Sequence, residues 1–409
     1  MEKQPPAEFI QGLNAALAYW QERIGREPPV TLERERHNLY RAVHLGLALS
    51  GTQPLAAEVA TDAFPFIYAR GYWREWLPVM ERAAHTPGGS FHGAIWQSVS
   101  RFWLLTRLGQ LRRLNGRLSD AVRCHQEALG VAHETTQSLL IVEGQYQLGR
   151  ALRDARQYVE AEEQLLAAEG LIAQVAGGGS DEHAAALAAN VQNALGRVMH
   201  DLGRLDEAQK HLSRAVAMRR KQGQPVPLAD VLQDLGNALR ADGSYDQALK
   251  CYEEGLGLLG GTDYPLNCAL IQLGVGAVHF ARRNYELAET VFRQIDVPFL
   301  REMGNLHVQA MTLSGLGNSL LYQNRHKEAA QALQESVELW RQLEDKLELA
   351  NAVGSLGEAL AGLGENTEAR EMFAEALDLL AQYPASAKAR RLHAFFTAER
   401  AKLTGTAED

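Results

Sequence analysis

The feature that most constrains this chain is a repeat. From Leu195 it reads Leu-Gly-Arg-Val-Met-His-Asp-Leu-Gly-Arg-Leu-Asp-Glu-Ala, and from Leu235 it reads Leu-Gly-Asn-Ala-Leu-Arg-Ala-Asp-Gly-Ser-Tyr-Asp-Gln-Ala. The glycine of this pair recurs at Gly109, Gly149, Gly196, Gly236, Gly276, Gly317 and Gly357, at spacings of 40, 47, 40, 40, 41 and 40 residues. Twelve residues past each glycine stands an alanine: Ala121, Ala161, Ala208, Ala248, Ala288, Ala329 and Ala369. Sixteen past it stands a bulkier residue: His125, Leu165, Leu212, Tyr252, Phe292, Leu333 and Phe373. A period of this length means stacked supersecondary units, each burying its apolar face against its neighbours.

The spacing predicts helical hairpins. The Leu-Gly pair lies on a first helix, and the alanine and the bulky residue four further on share a face of a second. A helical glycine costs about 1 kcal/mol relative to alanine, so seven of them require compensation from close helix packing. Turns are expected at Gly116, Gly203, Gly243, Asn324 and Gly364, residue types that tolerate positive φ.

This pattern resembles the tetratricopeptide repeat (TPR) superfamily, down to the closing pairs Ala128-Leu129, Ala215-Val216 and Ala376-Leu377. The family unit is about 34 residues, so these copies carry extra residues. The resemblance implies an all-α, right-handed α-solenoid of about seven 40-residue hairpins. We expect an N-terminal helical cap region over 1–90, the array over 91–384, and a capping helix with a disordered tail over 385–409.

The opening region is helical but off-pattern. Phe9 to Ile24 reads as a helix with Phe9, Leu13, Leu17 and Trp20 on one side, and Thr31 as the cap of a helix running to about Leu49. Helices near 54–70 and 72–84 follow, split at Gly71, before a loop at 85–90. Five of the six tryptophans, Trp20, Trp73, Trp76, Trp96 and Trp103, fall in the first 103 residues. The stretches Glu33 to Val43, Tyr68 to Trp73 and Leu77 to Ala84 resemble the helical segment that precedes TPR arrays in STAND-type regulatory ATPases. The G-x-x-x-x-G-K-[S/T] phosphate loop of such ATPases is absent from this sequence. Gly177 to Ser180 is followed by acids and reads as an inter-repeat insertion. After Pro384 a last helix is expected, with Leu392, Phe395 and Phe396 inward.

The formal charge of −9 argues against nucleic acid or an anionic membrane as a direct partner. Cys124, Cys251 and Cys268 form no paired spacing, which fits a reducing, cytoplasmic setting. Neither H-E-x-x-H nor G-x-S-x-G occurs, and the 13 histidines are scattered. We therefore expect no catalysis, no metal and no cofactor.

In TPR superhelices the first helices line the concave side. Positions three before, and one and four after, the repeat glycine share that face. They give Tyr146, Arg150 and Arg153; Asn193, Arg197 and His200; Gln233, Asn237 and Arg240; then the apolar Leu273, Ala277 and Phe280; then Ser314, Asn318 and Leu321, with Tyr322 beside them. The expectation is a groove for a protein or peptide segment, acidic in character. Amides would hold its backbone, arginines its carboxylates, and Tyr146, Phe280 and Tyr322 would anchor it. The plainer alternative is solvated helix positions whose arginines pair with Asp154 or Asp201. A homodimer through the apolar repeat-five face is a further possibility.

Overall fold

The computed structural model describes residues 5–27, 29–85, 93–176, 181–260, 264–302, 304–343, 345–384 and 386–404. The expected loops at 86–90 and 177–180, part of the 260–265 linker, the chain ends and the side chain of Trp96 lie outside them. The described residues form 22 helices and no strand, in two compact units, Met1–Gly223 and Gln224–Asp409.

The first unit opens with α1 Ala7–Ile24, α2 Pro29–Glu33, α3 Arg36–Gly46, α4 Gln53–Asp62, α5 Phe64–Arg70 and α6 Trp73–Ala84. Its core is aromatic and aliphatic: Leu17, Trp20, Leu39, Ile67 and Trp76 are all buried. Two boundaries differ from the sequence reading. The helix expected from Thr31 to Leu49 is broken, with Thr31 inside α2. The break falls where Glu33 turns to Arg70 at 3.0 Å and Glu35 to Arg23 at 2.9 Å. The helix expected over 54–70 breaks at Ala63, because Pro65 has no N–H to continue the ladder. Gly71 ends α5 at φ 74°, as expected.

Three hairpins follow: α7 Gly93–Leu114 with α8 Leu118–Thr135, α9 Ser138–Asp154 with α10 Tyr158–Ala176, and α11 Glu182–Asp201 with α12 Leu205–Gln222. The second unit continues with α13 Pro225–Ala241 and α14 Tyr245–Leu259, α15 Pro265–Ala281 and α16 Tyr285–Gln294, and the short α17 Val297–Glu302. Then come α18 Leu306–Leu321 with α19 His326–Arg341, α20 Lys346–Leu363 with α21 Asn366–Leu380, and α22 Ala387–Thr404. The fold is an α-solenoid, as the repeat implied.

The packing explains the repeat residue by residue. All seven alanines are fully buried. A Cβ placed on Gly196 would lie 2.5 Å from Leu212 Cγ; on Gly149, 2.6 Å from Leu165 Cγ; on Gly317, 2.6 Å from Leu333 Cγ. The bulky residue of the second helix therefore lies against the bare backbone of the first. Gly116, Gly203, Gly243, Asn324 and Gly364 all have positive φ, as do Arg156 and Arg283 where repeats two and five offer no glycine. The sequence reading did not anticipate α17. It follows an α16 of only ten residues, and Ile295 and Leu300 fill the space beside it. In α22, Phe396 is buried against Gly354 and Phe373, but Phe395 is 38% exposed. Adjacent helical residues point about 100° apart, so one of the two faces outward.

Candidate functional site

In the first unit, α9 carries Tyr146, Arg150 and Arg153, and α11 carries Asn193, Arg197 and His200. The i, i+4 and i+7 offsets bring each set onto one face. Tyr146 is buried and the others are half-buried. Ion pairs cross from helix to helix. Arg113 of α7 donates to Asp154 at 2.7 Å. Arg153 donates to Asp154 at 3.1 Å and to Asp201 at 2.6 Å, and His200 Nδ1 lies 3.2 Å from Asp201. The sequence alternative, that arginines here pair with Asp154 and Asp201, therefore holds for Arg153.

Arg150 is different. Its guanidinium donates to Gln147 Oε1 at 3.3 Å and lies 5.3 Å from the centre of the Tyr146 ring. Neither partner is acidic. Solvent still touches Arg150; burial and Arg197 oppose its charge, but Tyr146, Tyr68 and Asp154 outweigh them and raise its basicity above the usual arginine range. The same enclosure acts on Asp154: burial opposes its ionisation, but Arg113, Arg153 and Arg197 outweigh it and hold the carboxyl well below its usual range. Burial, with Arg113 and Arg150, pushes His125 down to about 3.

The sequence reading missed Arg113 and Tyr68. Arg113 was legible, since it stands four past Gly109, the register of Arg153 and Arg240. Tyr68 comes from α5, outside the repeat, and no periodicity marks it.

In the second unit, α13 carries Gln233, Asn237 and Arg240, all half-buried. Tyr252 Oη donates to Asn237 Oδ1 at 2.8 Å, and burial pushes the phenol up to about 12 against the pull of Arg240. Asn237 thus holds the repeat's own tyrosine over Gly236. Further along, Phe280 and Tyr322 come together with Tyr285. Phe280 meets Tyr285 at 5.4 Å and Tyr322 at 5.5 Å, both edge-on, and Tyr285 stacks on Tyr322 at 5.1 Å. Asn318 is half-buried on the same helix face. Glu358 occupies the corresponding position of the next repeat.

The repeat pattern and the hairpins are matched by known families. Residues 187–260 and 308–382 match one model of the tetratricopeptide repeat, and residues 234–299 match another. These segments are tetratricopeptide repeats. The chain is matched by no curated protein sequence. Among solved structures it is similar to a Rap protein complexed with competence and sporulation factor, at 12% identity and TM-score 0.56, over 86% of this chain and 98% of that one. It is also similar to a Signal Transduction ATPase with Numerous Domains (STAND) protein with a tetratricopeptide repeat sensor from Pyrococcus horikoshii. That match has 13% identity and TM-score 0.55, over 96% of this chain and 55% of the longer protein. A third is NprR in complex with its cognate peptide NprX, at 15% identity and TM-score 0.50, over 75% of this chain and 86% of that one. At these identities the likeness is one of fold.

Proposed function

We propose that this TPR protein is a non-enzymatic recognition module that holds a protein or peptide segment of acidic character against the first-helix face of its first unit. The observation that carries the reading is Arg150, touched by solvent, whose hydrogen-bond and ring partners among the described residues are Gln147 and Tyr146. A carboxylate meeting such a guanidinium forms a charge-assisted and potentially bidentate bond. Arg113, Arg153, Asp154 and Asp201 act as the frame, since their mutual pairing fixes α7, α9 and α11 around it. Arg197 and Asn193 lie on the same face.

Magnitude sets what else is needed. A hydrogen bond to a charged group contributes about 1.5–3 kcal/mol, and micromolar affinity needs about 8 kcal/mol. Aromatic contacts must supply most of the remainder, and Tyr146 and Tyr68 are the rings at hand. The finer role within this reading is that of a sensor or scaffold of a STAND-like signalling system, supported by a likeness that spans nearly the whole chain. A stand-alone receptor for a small signalling peptide is the second reading, supported by relatives of similar fold solved with a factor or cognate peptide bound. The division into cap, array and capping helix, a cytoplasmic setting, and direct contact with neither nucleic acid nor membrane belong to the same proposal.

Selection from a random peptide display library tests it. The wild type should enrich peptides rich in Asp and Glu, and Arg150→Glu should lose them while keeping its helical circular dichroism. Enrichment without acidic bias, or equal retention by the variant, would overturn the reading. Saturation by a short selected peptide would favour the receptor role. Recognition only of a folded partner carrying that segment would favour the sensor role.

A further inference from the structure

The second helices of the first unit carry a surface that the arginine face does not use. Two of them, α10 and α12, are tied side by side. Arg204, just before α12, donates to Glu162 of α10 at 2.8 and 3.0 Å. His211 Nδ1 of α12 lies 2.9 Å from Gln192 of α11, which donates to Glu169 of α10 at 2.7 Å. Ala161, Leu165 and Ala168 of α10, and Ala208, Leu212 and Ala215 of α12, are buried. The helical period then fixes what faces outward.

On α10 the outward stripe is Val159, Glu163 and Leu166, at i, i+4 and i+7, with Glu160 beside it. Val159 is 64% exposed and Leu166 45%, whereas a helix face that meets only water is polar. On α12 the outward residues include Lys210, Arg214 and Lys221, at i, i+4 and i+11. Among the described residues none of these five charges makes an ion pair. On α8, the preceding second helix, Arg123 pairs with Asp120 and Glu127 with Arg101. The signs are also segregated along the helices. The acids stand in the first two turns of α10, Arg214 and Lys221 in the second half of α12, and Asp206 and Glu207 in its first turn.

We propose that this face joins two copies of the chain in an antiparallel homodimer, α10 of each copy lying on α12 of the other. The two helices hold equivalent places in successive hairpins and so run the same way. A second copy laid parallel would set Glu160 and Glu163 near Asp206 and Glu207, and the like charges would repel. Turned about a twofold axis, it sets them against Arg214 and Lys221, and an isologous contact makes every such pair twice. The stems of those cations cover Val159 and Leu166 while their heads meet the carboxylates. The repeat-five residues are less available, since Leu273 is buried and Phe280 packs on Tyr285 and Tyr322. Helices of 19 and 18 residues are about 28 Å long and about 10 Å wide, so the pair presents roughly 550 Å² per copy, below the roughly 800 Å² of a standard interface. The dimer is therefore weak, and salt weakens it further because its ion pairs are exposed.

Sedimentation velocity of the full chain tests it, at loadings from about 2 to about 200 µM, the range in which an interface of this size associates. The wild type should pass from monomer to dimer over this range, and about 0.5 M salt should move the transition to higher concentration. A chain carrying Glu160→Lys with Glu163→Lys, or one carrying Arg214→Glu with Lys221→Glu, should associate at least about tenfold more weakly. Circular dichroism checks that both are folded. Mixed one to one, the two variants should dimerise again, because the basic α10 of one then meets the acidic α12 of the other, and the basic α12 meets the acidic α10. Arg150→Glu should leave the dimer unchanged, so failure of the arginine-face reading and failure of this interface are read apart. A wild type that stays monomeric at the highest loading would overturn the proposal and leave the face to a different protein. A dimer that survives either reversal, or a mixture that fails to associate, would overturn it too.

Discussion

Adding one methyl group to a repeat glycine tests the packing account most sharply, because the same change has opposite sign elsewhere in the same kind of helix. At Gly196 the new Cβ would lie 2.5 Å from Leu212 Cγ, 2.9 Å from its Cδ2 and 3.2 Å from the Ala208 carbonyl oxygen. Carbon atoms in contact prefer about 3.5–4.0 Å, so the overlap with Cγ is about 1 Å. Leu212 is 1% exposed and cannot step aside. Either it leaves its rotamer or α11 and α12 move apart, and overpacking of this kind costs about 1–3 kcal/mol. The gain in helix propensity is at most about 1 kcal/mol. At Gly170, in α10, a Cβ meets nothing within 4 Å, so only the propensity gain remains. Gly196→Ala should therefore destabilise, and Gly170→Ala should stabilise by about 0.5–1 kcal/mol. Urea unfolding followed by circular dichroism reads both, with hydrogen exchange localising the loss to α11 and α12, since repeat arrays need not unfold in one step. Combining Gly196→Ala with Leu212→Ala should cost less than the sum of the two by at least about 1 kcal/mol, because the methyl then fills the cavity. A neutral Gly196→Ala, or strict additivity, would refute this reading of the seven glycines.

Other outcomes follow from individual contacts. Arg283, exposed at φ 62°, sits where L-residues are strained, so Arg283→Gly should raise stability by up to about 1 kcal/mol in thermal melts. His125 is buried with both ring nitrogens unsatisfied and its basicity pushed down to about 3. The unfolded chain takes up a proton below about 6.5 that the folded one refuses, so this residue costs stability as pH falls from 6.5 towards 3. His125→Leu, the residue type of repeats two, three and six, should stabilise by about 1–3 kcal/mol, with the larger effect near pH 4. Asp154 has the opposite linkage. Its carboxyl is held low, so its contribution is present above the ordinary aspartate range and is lost as pH falls through the lowered value. Asp154→Asn should cost about 2 kcal/mol at pH 7, and the deficit should shrink under strong acid.

Much of the fold was legible because one residue pattern encodes one contact. Glycine and the side chain sixteen residues later touch in every hairpin, so the period fixed the helix pairing, the turns and the inward faces. What was not legible depended on single backbone events. Pro65 breaks one helix and a turn at residues 34–35 another, both of which their hydrophobic period would have continued, and α17 sits in a segment with no repeat signature. The register of the candidate face was readable from Arg150 and Arg153, but its electrostatics were not. Arg153 is neutralised by Asp154 and Asp201, which come from neighbouring turns and helices, and Tyr68 reaches the site from α5. In the second unit the register named Asn237 and Arg240 as ligand contacts, and it did not show that Asn237 also accepts a hydrogen bond from Tyr252. A tyrosine in place of leucine at the second-helix position brings a hydroxyl that needs partners, and the first helix supplies them.

The central claim is that a partner segment lies on the first-helix face beside Arg150. Site-specific photo-crosslinking measures this directly. A benzophenone side chain at position 200 of α11, on the Asn193 and Arg197 face and with Arg150 left in place, is compared with one at position 163, an exposed position of α10, each with a peptide selected by the wild type. The account predicts capture from position 200 and none from 163. Capture from 163 alone, or from neither, would contradict it.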